Sequence, residues 1–72
     1  MTMTNYTLED YLKAKKSLVS TLNKIEKAII SLEEKQNNGK NLKSQITLSK
    51  ERVLALTISI ELIELEIEKL SK

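Results

Sequence analysis

From Leu8 onward, apolar side chains recur in alternating steps of three and four: Leu8, Tyr11, Leu18, Leu22, Ile25, Ile29 and Leu32. Lys15 stands within this series and Gln36 ends it. A helix turns by about 100° per residue, so the spacing lays these side chains along one side of it. Leu12 and Val19 widen the stripe on one flank, while Ala14, Thr21 and Ala28 keep the other flank small. A second series with the same step runs Leu42, Ile46, Ser49, Val53, Leu56, Ile60, Ile63, Ile67, Leu70. Between the two lies Gln36-Asn37-Asn38-Gly39-Lys40-Asn41, which holds the only glycine of the chain. Gly39 can take a positive φ at a helix C-terminus without a Cβ clash. Thr7 is placed to cap the first helix and Asn41 the second, and Glu9 and Asp10 suit the positive end of the first helix dipole. The pattern predicts a helix over 8–37, a turn over 38–40 and a helix over 41–71. Residues 1–6 are expected to be a disordered lead and 7–72 a single domain.

The two series also fit each other. When residues whose numbers add to 78 are paired, Leu18 meets Ile60, Leu22 meets Leu56, Ile25 meets Val53 and Leu32 meets Ile46. Lys15 then falls opposite Ile63, as a register device whose stem lies along the seam and whose ammonium reaches water. On the flanks, Glu26 is expected near Lys50 and Glu33 near Lys43. The fold class is therefore all-α: an antiparallel two-helix hairpin of the coiled-coil type, assembling into a dimeric four-helix bundle. Thr57-Ile58-Ser59-Ile60-Glu61-Leu62 alternates like a half-buried strand. That alternation breaks at Leu62-Ile63, and no turn signal interrupts Leu42–Ser71, which favours helix throughout. Ser49 could re-cap a shorter helix if the segment broke at Thr47-Leu48-Ser49.

Helix 2 carries more apolar residues than one seam uses. Leu48, Leu54, Ala55, Ile58, Leu62 and Leu65 point away from helix 1, and Ile30 is all that helix 1 adds to such an outer face. Two polar rows, Lys50/Thr57/Glu64 and Arg52/Ser59/Glu66, separate this stripe from the seam. Fully burying each large member is worth on the order of ~1.5–3 kcal/mol, and a contiguous patch left in water marks an interaction surface. These six residues are the expected interface with a second copy or with another protein.

Composition narrows the chemistry. The chain has 72 residues, enough for one small domain that is marginal without staples or association. It contains no Cys, His, Trp, Phe or Pro, and Asp10 is its one aspartate. No Ser/His/Asp or Cys/His constellation, phosphate-cradling glycine loop or zinc-ligand spacing is present, so no enzyme, cofactor or metal site is expected. Glu61, Glu64, Glu66 and Glu68 form a solvated acidic end facing Lys13, Lys15 and Lys16. That acidity also disfavours an anionic membrane surface as partner. The longest uncharged run of this region, Val53–Ile60, is far short of the ~20 residues a membrane span needs. No secretory pattern opens the sequence, and a cytoplasmic location is expected. Net charge is +2, yet Lys35, Lys40, Lys43, Lys50 and Arg52 gather near the turn. Of these, Lys40, Lys43, Lys50 and Arg52 are the candidate phosphate contacts, although no aromatic platform for single strands accompanies them.

Leu48–Ile63, LSKERVLALTISIELI, resembles the second helix of the small hairpin aspartyl-phosphate phosphatases of the sporulation phosphorelay. Their S-Q-E-L-D motif falls here on Thr57-Ile58-Ser59-Ile60-Glu61, which lacks the amide and the aspartate, so their activity is not carried over. The hairpin architecture is similar to that of Rop-like plasmid RNA-binding regulators, which dimerise into four helices. Secretion-type hairpins marked by W-x-G at the turn are disfavoured by the absence of Trp. The expected function is a small non-enzymatic protein–protein interaction module: a regulator or inhibitor of the mobile-element type, dimerising or docking through the outer face of helix 2. The alternatives are a Rop-like nucleic-acid-binding regulator using the basic turn region and a structural assembly subunit.

Overall fold

The computed structural model describes residues 5–72 and consists of two α-helices packed against each other, α1 (Leu8–Asn37) and α2 (Lys43–Leu70). The chain is an all-α helical hairpin. Its Cα trace extends over 51 × 25 × 14 Å, the proportions of two long rods side by side.

α1 starts where its capping residues dictate. The Asp10 amide donates to Thr7 Oγ1 at 3.1 Å, and the Thr7 amide donates to Asp10 Oδ2 at 3.0 Å. This reciprocal box satisfies two backbone donors that would otherwise lack partners at a helix start. The first four residues lie outside the described part, and with them most of the expected disordered lead. Tyr6, at its edge, rests edge-to-face on Tyr11 with ring centroids 5.9 Å apart.

The end of α1 is a Schellman turn. Gly39 has φ +99°, its amide donates to Gln36 O at 3.0 Å, and the Lys40 amide donates to Lys35 O at 3.4 Å. These two bonds take up carbonyls that the last helical turn leaves open, and glycine reaches the left-handed region without a Cβ penalty.

The start of α2 differs from expectation. Its N-cap is Leu42, with no side-chain cap hydrogen bond, and Asn41 stands one position too early to serve. Leu42 is a seam residue and half-buried. Holding it against α1 means the chain leaves the turn later, so the connection spans 38–42 rather than 38–40. The helix then begins with Leu42 O accepting from the Ile46 amide at 3.0 Å.

α2 runs unbroken through both segments that invited other readings, Thr47–Ser49 and Thr57–Leu62. The hydroxyls of Thr57 and Ser59 donate back to Val53 O (2.7 Å) and Ala55 O (2.9 Å). Back-bonding of this kind satisfies hydroxyls inside the helix without breaking it. Burial of the seam outweighs the β-propensity of the segment, with Ile60 among the most enclosed side chains of the molecule.

Both seams lie where the spacing puts them. Every seam position of α1 from Leu8 to Leu32 is buried or half-buried, as is every one on α2 from Ile46 to Ile67. Gln36 and Leu70, at the two ends, are exposed. The core is thin: among the described residues Ile29, Ile46 and Ile60 are the buried side chains, and none is fully enclosed.

Among the described residues, two ion pairs bridge the helices. Lys15 Nζ lies 3.2 Å from Glu64 Oε2, so the seam lysine turns its charge outward to an acidic partner. Lys50 Nζ lies 3.7 Å from Glu33 Oε2, which corrects the flank expectation: Glu33 takes Lys50, not Lys43. Lys50 also shares a hollow with Glu26, Ile29, Ile30 and Val53, which places it near Glu26 as expected while its ammonium reaches Glu33. Both pairs are well exposed and worth about 0.2–1 kcal/mol each, enough to favour a register and too little to hold the fold.

Candidate interaction surface

The outer face of α2 is assembled by helical period alone. With Ile58 at its centre, Leu65 and Leu54 fall about 20–40° to one side, and Leu62, Ala55 and Leu48 about 40–80° to the other. The seam residues Ile60, Ile63 and Ile67 lie diametrically opposite. All six expected interface residues are exposed, with Leu54 61%, Leu62 59% and Ile58 49% accessible. The stripe from Leu48 to Leu65 runs some 17 residues, about 26 Å at the rise of a helix.

Such a surface carries an energetic cost. The protein exposes 5997 Å², whereas a compact monomer of 8.2 kDa would expose about 4,500 Å². The surplus of about 1,500 Å² exceeds the ~800 Å² per partner that a standard protein interface buries. Much of this surplus follows from the elongated shape, and the exposed Leu48, Leu54, Ile58, Leu62 and Leu65 form its apolar part on α2.

Two polar residues in line with the stripe escaped the sequence reading. Glu51 and Lys69 stand one heptad before Ile58 and one heptad after Leu62, closing the apolar line at its two ends with opposite charges. Counting heptads outward from the stripe would have found them; a charge on an exposed helix reads first as solvation. Leu12, read as widening the seam of α1, is 48% exposed, and Tyr6 and Ile30 are further exposed apolar side chains off the stripe.

The basic residues near the turn are spread over the connection and the first turns of α2. Lys40 lies in the connection and Lys43 opens α2. Lys50 is drawn toward Glu33, and Arg52, two residues on, points to the opposite flank of the seam.

The chemistry elsewhere is sparse. An open hollow of about 420 Å³ near the start of α1 is lined by Tyr6, Asp10, Tyr11, Ala14 and Ile63. Its one carboxylate is engaged: hydrogen bonds from the backbone and side chain of Thr7 hold the Asp10 carboxyl below its ordinary value of 3.8. Among the described residues, no group of acidic side chains could hold a metal ion, and no helix is long and apolar enough to cross a membrane. Comparison with protein-family models, curated proteins and solved structures finds no match for this chain.

Proposed function

We propose that the protein is a small interaction module, a regulator or inhibitor that acts by binding, with the outer face of α2 as its contact surface. The observation that carries this reading is the line of Leu48, Leu54, Ile58, Leu62 and Leu65, each about half or more exposed on a hairpin with three buried side chains among the described residues. Hydration of a continuous apolar stripe is unfavourable, and covering it releases that cost. The contact is made by a helix face, so the partner surface is a groove or another helix that takes anchors at three- and four-residue spacing.

The test is placement of a photoreactive amino acid at position 58 in living cells. Adducts are expected at Ile58, and none are expected at Lys27, a polar exposed position of α1. Equal labelling at both positions, or none at Ile58, would refute the assignment of the surface.

A further inference from the structure

We infer that the occupant of the outer face is a second copy of the chain, lying antiparallel, with the twofold axis beside position 60. The inference rests on the outer face being a contact surface, and adds to it the identity and register of what covers it.

The outer face is itself a heptad seam. One row holds Leu48, Ala55, Leu62 and Lys69, and the other holds Glu51, Ile58 and Leu65, interleaved at three- and four-residue steps. In an antiparallel pair of helices, each residue of one row sits opposite a residue of the other row on the partner. If facing residues have numbers adding to 120, Ile58 meets the partner's Leu62, Ala55 meets the partner's Leu65 and Glu51 meets the partner's Lys69. Each contact occurs twice by symmetry. On one flank Arg52 then lies opposite the partner's Glu66. Neither Glu51 nor Arg52 has an ion-pair partner within its own hairpin among the described residues, so both charges are free to pair across the interface. Lys69 approaches its own Glu66 at 3.4 Å, which leaves it on the same end of the face.

Charge selects this register over its neighbours. Sliding one heptad toward the N-terminus sets Leu62 against the partner's Glu51, and sliding one heptad the other way sets Ile58 against the partner's Lys69. A parallel pair sets Glu51 on Glu51 and Lys69 on Lys69. In the favoured register the one like-charge contact is Glu61 with the partner's Glu61, close to the axis.

The outer face lies opposite the seam, so the four helices form a row with the two copies of α2 at its centre. At ~8–10 Å between neighbouring axes, the outer helices stand about 24–30 Å apart.

Cysteine placement tests the register, since the chain has no cysteine of its own. Positions 54, 61 and 68 form one exposed row at heptad spacing. In the proposed dimer, position 61 lies about 3 Å along the axis from its copy, while 54 and 68 lie about 18 and 24 Å from theirs. With neighbouring axes ~8–10 Å apart, the two copies of position 61 have Cα atoms roughly 8–10 Å apart, too far for a relaxed disulfide and within reach of a short bis-maleimide. That reagent should therefore cross-link Glu61→Cys and leave Leu54→Cys and Glu68→Cys uncoupled, with light scattering of the unmodified chain giving twice 8.2 kDa. Glu51→Lys should weaken association about tenfold or more, and adding Lys69→Glu should restore it. Glu61→Gln should tighten it about two- to fivefold. Cross-links at all three positions would mean a parallel pair, and cross-linking at 54 or 68 alone another register; either overturns the proposal. A monomer at every concentration also overturns it. If Ile58 still photolabels a different protein in cells, the contact surface stands while the second copy does not; without any adduct both fall.

Discussion

Ile58 and Ile60 are separated by a single residue and have opposite tasks, which makes truncation of each to alanine a sharp test of the hairpin. Ile60 is 9% exposed and Ile58 is 49% exposed. Cutting a buried isoleucine to alanine costs about 2–5 kcal/mol. Because Ile60 keeps 9% of its surface exposed, water can fill part of the space that Ile60→Ala leaves, and about 2–3 kcal/mol is expected. A domain of this length holds roughly 4–11 kcal/mol in all, so the loss is a large fraction of it. In a small domain each kcal/mol moves the melting midpoint by about 4–8 °C, which predicts a fall of about 10–20 °C. Ile58→Ala in dilute solution should stay within about 0.5 kcal/mol, since the lost contacts are few and alanine is the better helix former. Thermal and urea unfolding followed by circular dichroism at low micromolar concentration measures both. As concentration rises, the cost of Ile58→Ala should grow while that of Ile60→Ala persists, because only the outer face is linked to association by mass action. Equal losses in dilute solution, or a reversed order, would refute the assignment of seam and outer face.

Two further changes address the helix ends. Thr7→Ala removes the acceptor for the Asp10 amide and should cost about 0.5–2 kcal/mol, read as a lower melting midpoint. The Asp10 carboxyl is held below its ordinary 3.8 in the folded chain, so its contribution is present above that value and lost as pH falls through the depressed one. Asp10→Asn should remove that part of the acid-side decline in a pH series of melting midpoints. Gly39→Ala meets nothing within 4 Å, so its penalty comes from φ +99° alone. About 1–2 kcal/mol is expected, with Gly39→Asn costing less; a neutral Gly39→Ala would show that the turn does not need the left-handed residue.

Much of the fold could be read from spacing because a period of three and four residues constrains an entire helix at once. Leu18, Ile29, Ile46 and Ile60 each agree with the same seam, so errors at single positions do not accumulate. The ends were harder. At Asn41 a local capping preference of about 1 kcal/mol competed with burial of the neighbouring Leu42, and the burial prevailed. Lys50 pairs with Glu33 and lies beside Glu26 as well, because a lysine stem can reach either of two glutamates a heptad apart, and spacing alone does not choose between them. The outer stripe was legible as whatever apolar surface the seam left over. What covers it was not, because the hydrophobic effect has no direction. Direction came from Glu51 and Lys69, whose places on the line emerge only once the faces of α2 are set out.

The opposition of the two stripes on α2 has a consequence for how the chain finds its native arrangement. A half-turn of α2 about its own axis would bring Ile58, Leu62 and Leu65 against α1 and send Ile60, Ile63 and Ile67 into water. Both packings bury branched aliphatic side chains of similar volume, so hydrophobicity alone discriminates weakly between a native and a rotated basin. In the rotated basin Glu64 leaves Lys15 and Lys50 leaves Glu33, and two exposed ion pairs of small individual worth become tie-breakers between alternative folds. Anything bound to the outer stripe adds its own vote, because only the native rotation offers Ile58 and Leu62 to it.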